Sequence, residues 1–396
     1  MKLSNDQKLV LREIWKWVFN KDFNSKFKDK PFLTFGGYAG TGKTTMMAVF
    51  RQGLHQRKPK KKVAFCSYTG KATRVLEQTL DKFGAKLAGD MSGTIHSLIY
   101  EPITNDNGQI VGWQRKRKLD VDLIIVDEAS MVDAYIWSDL QSFGVPILAV
   151  GDHGQLPPIR GEFNLMETPD IKLERIHRQA KGNPIIELSE KVRQGEKIPI
   201  GDFGQVKKYD QTDWDTKAVV EDIVSNFDDN WLILVGYNRS RVQLNNEIRQ
   251  INGMMTEEPQ AGDRIICLKN NYQKGIYNGI RGVITSIREK EDDQGRGLWY
   301  KMSAKMDDGV NYSGKVLREQ FNAKKTIKKP DDLEYEDMGD LFDYGYVLTV
   351  HKAQGSQAPK VLLFEERFKQ MTDDDWRRWL YTAVTRAEEE LVIIGT

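Results

Sequence analysis

Cysteine is nearly absent from the chain, at two among 396 residues, and histidine is hardly commoner at five. Cys66 and Cys267 are far apart and sit in apolar runs (VAFCSY, RIICL). They offer neither a disulfide framework nor a ligand cluster, and read as buried apolar side chains of a reducing compartment. No histidine has metal-ligand spacing, so no structural metal is expected. Long apolar runs are missing as well. Nothing approaches the ~20 residues that cross a bilayer, and residues 1–10 (MKLSNDQKLV) lack the apolar stretch of a signal peptide. A soluble, cytoplasmic protein is therefore expected. A dominant charge is also lacking: the formal net charge is +2 with 29% of residues charged. A nucleic-acid partner would have to be met by local patches. There is no internal repeat and no low-complexity tract.

What the chain does contain is a succession of short runs that are apolar on both faces: PFLTFGG, VAFCSY, DLIIVDEAS and VPILAVGD early, then WLILVGY, YVLTVH, KVLLFE and ELVIIGT late. Such runs, separated by helix-length segments, argue for buried parallel strands in two α/β domains. Two insertions interrupt them. Residues 100–118 (YEPITNDNGQIVGWQRKRK) read as a β-hairpin turning over residues 105–108. Residues 282–342 alternate in short runs (VITSIRE, LWYKMSAKM, VNYSGKVL) with tight turns between them, which suggests a small β-barrel. The mixed-charge stretch 321–342 reads as a solvated excursion.

Residues 37–44 fit G-x-x-x-x-G-K-[ST] directly after an apolar strand and before a segment of helical spacing. In that context backbone amides and a helix N-terminus cradle phosphate. Gly37, Gly40, Thr41, Gly42, Lys43, Thr44 and Thr45 form the candidate cradle. Lys43 would reach the β- and γ-oxygens, and the Thr44 hydroxyl would bind Mg²⁺. Asp127, closing LIIVD, supplies a second metal ligand. Glu128 follows at once and can orient and deprotonate a water, which points to hydrolysis rather than simple binding. Gln155, in VGDHGQLPPI, can hydrogen-bond a γ-phosphate or the attacking water.

The order of these strings resembles the superfamily 1B helicases of the RecD and Dda type along nearly the whole chain. SNDQ is similar to the family's Q motif, which implies that Gln7 reads adenine. CSYTGKATRVL and SGTIHSLI resemble motifs Ia and Ib, DEAS and GDHGQLPP motifs II and III, and LERIHRQ motif IV. LTVHKAQGSQ resembles motif V and YTAVTRAEEELVII motif VI. The resemblance implies two RecA-like P-loop motor domains, at 1–180 and at 181–281 with 343–396, and an SH3-like β-barrel at 282–342. It implies arginine fingers at Arg178 and Arg386 and a nucleotide contact at Gly355. It further implies an ATP- and Mg²⁺-dependent DNA helicase moving 5′-to-3′, in a bacterial or phage-infected cytoplasm. The expected partners are single-stranded DNA and the fork, with a single-stranded-DNA-binding protein as a further one, and a monomeric state is expected. The N-terminal interaction domains of some RecD-type proteins are not expected. A translocase that strips proteins from DNA, and an ATP-switched binding module, stand as alternatives.

Thr69, Lys71, Thr94, His96, Thr349, His351 and Lys352 are short polar or basic residues at strand ends, suited to contacting DNA phosphates. A helix cap or core role is the competing reading for each. On the hairpin, Trp113 precedes four cations at 115–118, which suits a wedge that stacks on a base pair while gripping phosphate. A basic edge strand is the plainer alternative.

Overall fold

The computed structural model describes residues 3–19, 30–104, 110–158, 163–174, 182–254, 256–291, 295, 297–328 and 338–396. The chain divides into two compact units, Met1–Ile103 with Gly112–Glu187, and Leu188–Thr396 with Thr104–Val111. The division at 187/188 lies a few residues beyond the 180/181 boundary expected from the sequence. No helix among the described residues is long and apolar enough to cross a membrane.

In chain order the first unit contains α1 (Asn5–Phe19), β1 (Phe32–Gly37), α2 (Lys43–Arg57), β2 (Val63–Ser67), α3 (Gly70–Lys82), β3 (Met91–Thr94) and α4 (Ile95–Ile99). The paired arms β4 (Tyr100–Thr104) and β5 (Ile110–Arg115) follow, with Thr104, Ile110 and Val111 grouped in the other unit, then β6 (Leu123–Asp127), α5 (Ala134–Gln141), β7 (Ile147–Gly151) and β8 (Ile171–Leu173). Six strands form one parallel sheet in the order β3-β2-β6-β7-β1-β8. Period-two alternation sends neighbouring side chains to opposite faces. Val63, Phe65, Leu123, Ile125, Leu148 and Val150 pack with Met46 and Phe50 of α2 and Leu76 of α3. Their neighbours Ala64, Cys66, Ile124, Val126, Ile147 and Ala149 pack instead with Leu98 of α4 and Trp137 of α5. Both faces are covered, so the strands are apolar throughout, as the runs suggested. Because β6, β7 and β1 are adjacent, their carboxyl ends emerge along one edge, the usual ligand edge of such sheets.

The second unit contains α6 (Pro184–Arg193, which starts at the boundary), β9 (Gly201–Asp202), β10 (Val206–Asp210), α7 (Trp214–Ser225), β11 (Trp231–Val235), α8 (Asn238–Ile251), β12 (Arg264–Cys267), β13 (Arg281–Lys290), β14 (Trp299–Met306), β15 (Asn311–Leu317), β16 (Phe342–Tyr344), β17 (Val347–Thr349), β18 (Ala358–Phe364), α9 (Asp373–Val384) and β19 (Ala387–Gly395). Its parallel sheet runs β17-β11-β18-β19-β10, with β9 antiparallel at one edge. Strand β10 was not anticipated, because VKKYD looks like a solvated run. It is admitted to the sheet because Lys208 is buried against Glu365 at 2.5 Å and also donates to the Thr396 carbonyl.

The insertion is an antiparallel sheet of order β15-β14-β13-β12-β16. It begins at Arg264, eighteen residues before the expected start at 282. RIIC is an apolar run whose partners are antiparallel: Ile265 faces Gly282 on one side and Tyr344 on the other. At the far edge Val316 bridges Asp340, two residues before β16.

Candidate nucleotide site and nucleic-acid contacts

Gly42, with φ 84°, sits in the left-handed region and caps α2 without a side-chain hydrogen bond. Glycine is needed there because a Cβ would strain that conformation. A Cβ on Gly37 would meet Thr41 Oγ1 at 2.8 Å and Lys43 Cγ at 3.1 Å, so the loop closes tightly over the strand end. Thr41 Oγ1 donates to the Tyr38 carbonyl at 2.7 Å, and Lys43 Nζ donates to the carbonyls of Gly37 at 2.7 Å and Tyr38 at 3.1 Å. The ammonium is thus already drawn across the loop. Gly40 is also left-handed, at φ 75°. Thr44 and Thr45 are half-buried in the first turn of α2.

Gln7 is buried and tied to the same loop, its Nε2 donating to the Thr41 carbonyl at 3.2 Å. Its Oε1 accepts from Ser4 N while its own amide donates to Ser4 Oγ, the reciprocal pattern that starts a helix. The SNDQ string therefore both begins α1 and docks it on the loop.

Asp127 ends β6, and Glu128 beyond it has φ 52° and ψ 40°. Glu128 and Asn322 are the described non-glycine residues in this region, which costs an ordinary side chain about 1–2 kcal/mol. Strain of that kind at a carboxylate beside a candidate metal ligand is typical of functional sites. Burial pushes the Asp127 carboxyl up to about 7; the adjacent Glu128 charge adds to this, while Lys43 and the Glu128 amide oppose it. Glu128 Oε2 is buried without a hydrogen-bond partner. Gln155, 4% exposed, donates its amides to Asp152, while its Oε1 is likewise unpartnered.

Three residues at this edge escaped the sequence reading. His153 packs on Tyr38 with ring centres 4.1 Å apart, and burial takes it down to about 4. Ser67 and Ser130 are buried hydroxyls without partners. A serine closing an apolar strand was the available signal for Ser67.

In the second unit, Gly355 is left-handed at φ 71°. Arg386 is buried, donating to the Thr382 carbonyl (2.9 Å), the Ser356 carbonyl (3.0 Å) and Thr385 Oγ1 (3.1 Å). Arg178 lies outside the described residues. Thr349 Oγ1 accepts from Lys352 N at 3.4 Å, and Lys352 Nζ donates to Asn278 Oδ1 at 3.4 Å. Burial lowers both His351 and Lys352.

Thr69 and Thr94 are helix caps: Thr69 accepts from Ala72 N at the start of α3, and Thr94 from Ser97 N at the start of α4. The cap role that the sequence left open is the one seen, with Lys71 in the first turn of α3. His96, lowered by burial, is flanked by Tyr100 at 4.6 Å and by the edge of Trp113 at 4.7 Å. Trp113, 36% exposed, lies in β5 toward the base of the hairpin, whose turn at 105–109 is outside the described residues. Two of the four cations also hold the hairpin to the rest of its unit. Arg115 donates to Ser142 Oγ at 2.6 Å and approaches Asp139 at 3.8 Å, and Lys116 Nζ donates to the Ser97 carbonyl at 2.8 Å. These two anchor the hairpin, while Arg115, Arg117 and Lys118 are all exposed.

Residues 27–214 match the model of an AAA domain family, and residues 344–394 that of the UvrD-like helicase C-terminal domain. The ATP-dependent RecD2 DNA helicase of Deinococcus radiodurans is 28% identical over 91% of this chain and 46% of its own length. The RecBCD enzyme subunit RecD of Mycobacterium tuberculosis is 24% identical over 91% of this chain and 66% of its own. The chain thus spans about half to two thirds of the length of these two relatives. The crystal structure of the Bacteroides Pif1 helicase in complex with ADP-AlF3 and single-stranded DNA superimposes with a TM-score of 0.55. At 17% identity, covering 99% of this chain and 92% of that one, the match establishes a Pif1-like fold. The two domain families occur in the order that the nucleotide loop and the second parallel sheet require, and the relatives align through both. The chain thus carries an AAA-domain match around the nucleotide loop and a UvrD-like helicase C-terminal match over the closing strands of the second sheet, and it is similar to RecD-type helicases over nine tenths of its length.

Proposed function

We propose that this chain is an ATP-driven motor that tracks along single-stranded DNA 5′-to-3′ and separates the duplex ahead of it. One observation carries the reading. At the carboxyl edge of β1, β6 and β7, strained Glu128 holds an unpartnered buried oxygen beside Asp127, in the field of Lys43.

The residues fit a nucleotide and a divalent cation, since the loop is closed to within a methyl group and the facing polar atoms lack protein partners. Thr44 and Asp127 would hold Mg²⁺, which when bound screens the charge on phosphate oxygens. Lys43 exchanges its carbonyl contacts for phosphate, Gln155 senses the terminal phosphate, and Glu128 orients water and takes up its proton at a carboxylate oxygen. By resemblance, Arg178 and Arg386 are the arginine fingers and Gly355 is a nucleotide contact. Arg386 is held by the Thr382 and Ser356 carbonyls and by Thr385 Oγ1. Fingers of this kind are worth about 10³–10⁵ in rate in other NTPases.

Thr69, Lys71, Thr94, His96, Thr349, His351 and Lys352 border the DNA track. Trp113 supports the hairpin from its base, and the antiparallel insertion is read as an SH3-like barrel closed through the Val316–Asp340 bridge. DNA as substrate follows the relatives, RecD2 being a DNA helicase and Pif1 being bound to single-stranded DNA.

The test is ATP turnover with and without single-stranded DNA or RNA, followed by strand separation on duplexes with 5′ or 3′ overhangs, using Lys43→Ala as the inactive control. DNA-stimulated turnover and unwinding from the 5′ overhang alone are expected. Turnover indifferent to nucleic acid would overturn the reading. Stripping of bound protein without unwinding would reduce it to a translocase.

A further inference from the structure

We propose that Ser67 is a positioning residue of the cation site, its hydroxyl oxygen accepting a hydrogen bond from a water in the shell of the divalent cation that Thr44 and Asp127 would hold. The proposal rests on the nucleotide-site reading above and adds a residue to it.

Ser67 closes β2, is 0% exposed, and its Oγ has no hydrogen-bond partner. In the parallel pairing of β2 with β6 its register partner is Asp127. Alternation puts the two side chains on the same face: Val63 and Phe65 precede Ser67, and Leu123 and Ile125 precede Asp127, all four in the cluster packed by α2. That helix starts at Lys43, whose charge acts on Asp127. Ser67 thus shares its face with the carboxylate, beneath the helix that follows the phosphate loop. It stands one strand spacing, about 4.8 Å, from Asp127, which is one water removed from a cation on that carboxylate rather than in direct contact.

A hydroxyl can accept twice and donate once, and cation-bound water is a strong donor. The rest of β2 is Val, Ala, Phe and Cys, so a packing role alone would be met by another apolar residue. A buried hydroxyl without a partner instead carries a desolvation cost, which a partner present in the loaded site would offset. Outer-shell partners of bound metals are commonly worth about 10- to 100-fold in metal affinity.

The experiment titrates MgCl₂, and separately MnCl₂, into the full chain with a fluorescent ADP analogue, and measures affinity for the same analogue in EDTA. Ser67→Ala should raise the half-saturating cation concentration about 10-fold, with the affinity in EDTA within about twofold of wild type. Ser67→Cys, similar in volume to serine and a poor acceptor, should do the same and serves if the alanine variant is not recovered. An unchanged cation requirement, with Tm equal to or above wild type, would mean that Ser67 is only an unsatisfied core hydroxyl and would overturn the proposal. If wild type itself showed no cation-dependent tightening, the cation site would fail, and this proposal with it. That outcome is distinct from the first because it appears without any variant.

Discussion

The two parallel sheets end differently at corresponding places. In the first unit α2 follows β1 with no side-chain cap on its N-terminus. In the second, α8 follows β11 in the same way, but the chain supplies its own anion: Glu366 Oε2 accepts from Gly236 N at 2.7 Å and Tyr237 N at 2.9 Å, and its other oxygen from Ser240 Oγ. A helix N-terminus attracts negative charge wherever it occurs. One sheet satisfies that demand internally. The other surrounds it with a lysine, strained Glu128 and unpartnered polar atoms. The difference teaches that a shared architecture does not make both halves nucleotide binders; the side chain placed at the helix start decides.

The sharpest way to break this comparison is to remove the reactive group from the first sheet. Glu128→Gln should lower ATP turnover about 10²- to 10⁴-fold, the scale of positioned acid–base catalysis, while nucleotide affinity stays within a few-fold of wild type. Near-normal turnover would mean that the strain and the orphaned oxygen at Glu128 serve something other than hydrolysis. A smaller effect is expected at the equivalent place in the second sheet. Glu366→Ala removes two amide bonds to a carboxylate and should cost about 2 kcal/mol of stability, read in urea denaturation, with nucleotide binding unaltered. Glu366→Gln should fall between the two. If Glu366→Ala changed nucleotide affinity instead of stability, the second sheet would not be the internally satisfied half.

How much of this was legible beforehand depended on whether the determinant was local. The parallel strands read correctly because strands buried on both faces leave continuous apolar runs, and the phosphate loop because its glycines and lysine act within a few residues of one another. RIIC was left outside the insertion, since an apolar tetrapeptide does not state which partners it will pair with, and β10 was missed because the carboxylate that pairs with Lys208 lies at Glu365. The cap roles of Thr69 and Thr94 were open in the sequence, but that Arg115 and Lys116 also anchor the hairpin was not, because Asp139, Ser142 and Ser97 come close only in the fold. Glu128 was picked for its neighbour in sequence, whereas its left-handed backbone, the feature that sets it apart, has no sequence signal.

The smallest effect sharpens the contrast by pH. His153 sits on the polar edge of the first sheet, and burial carries its folded-state value to about 4, with Lys172 and Lys43 adding to the shift and Asp152 and Glu174 opposing it. The unfolded chain, near the ordinary value of about 6.5, takes up its proton first as the solution is acidified. Between those two values the unfolded state binds more protons, so this residue's contribution is fully present above pH 6.5 and is lost as the pH falls toward 4. Because the ring is half-buried, about 1 kcal/mol is expected after allowing for solvent screening. His153→Gln should therefore flatten the stability profile of the first unit between pH 6.5 and 4.5, measured by urea denaturation at closely spaced pH, and leave the profile above pH 7 unmoved. Equal slopes in the variant and the wild type would assign the acid sensitivity to other groups, such as His96, which burial also lowers.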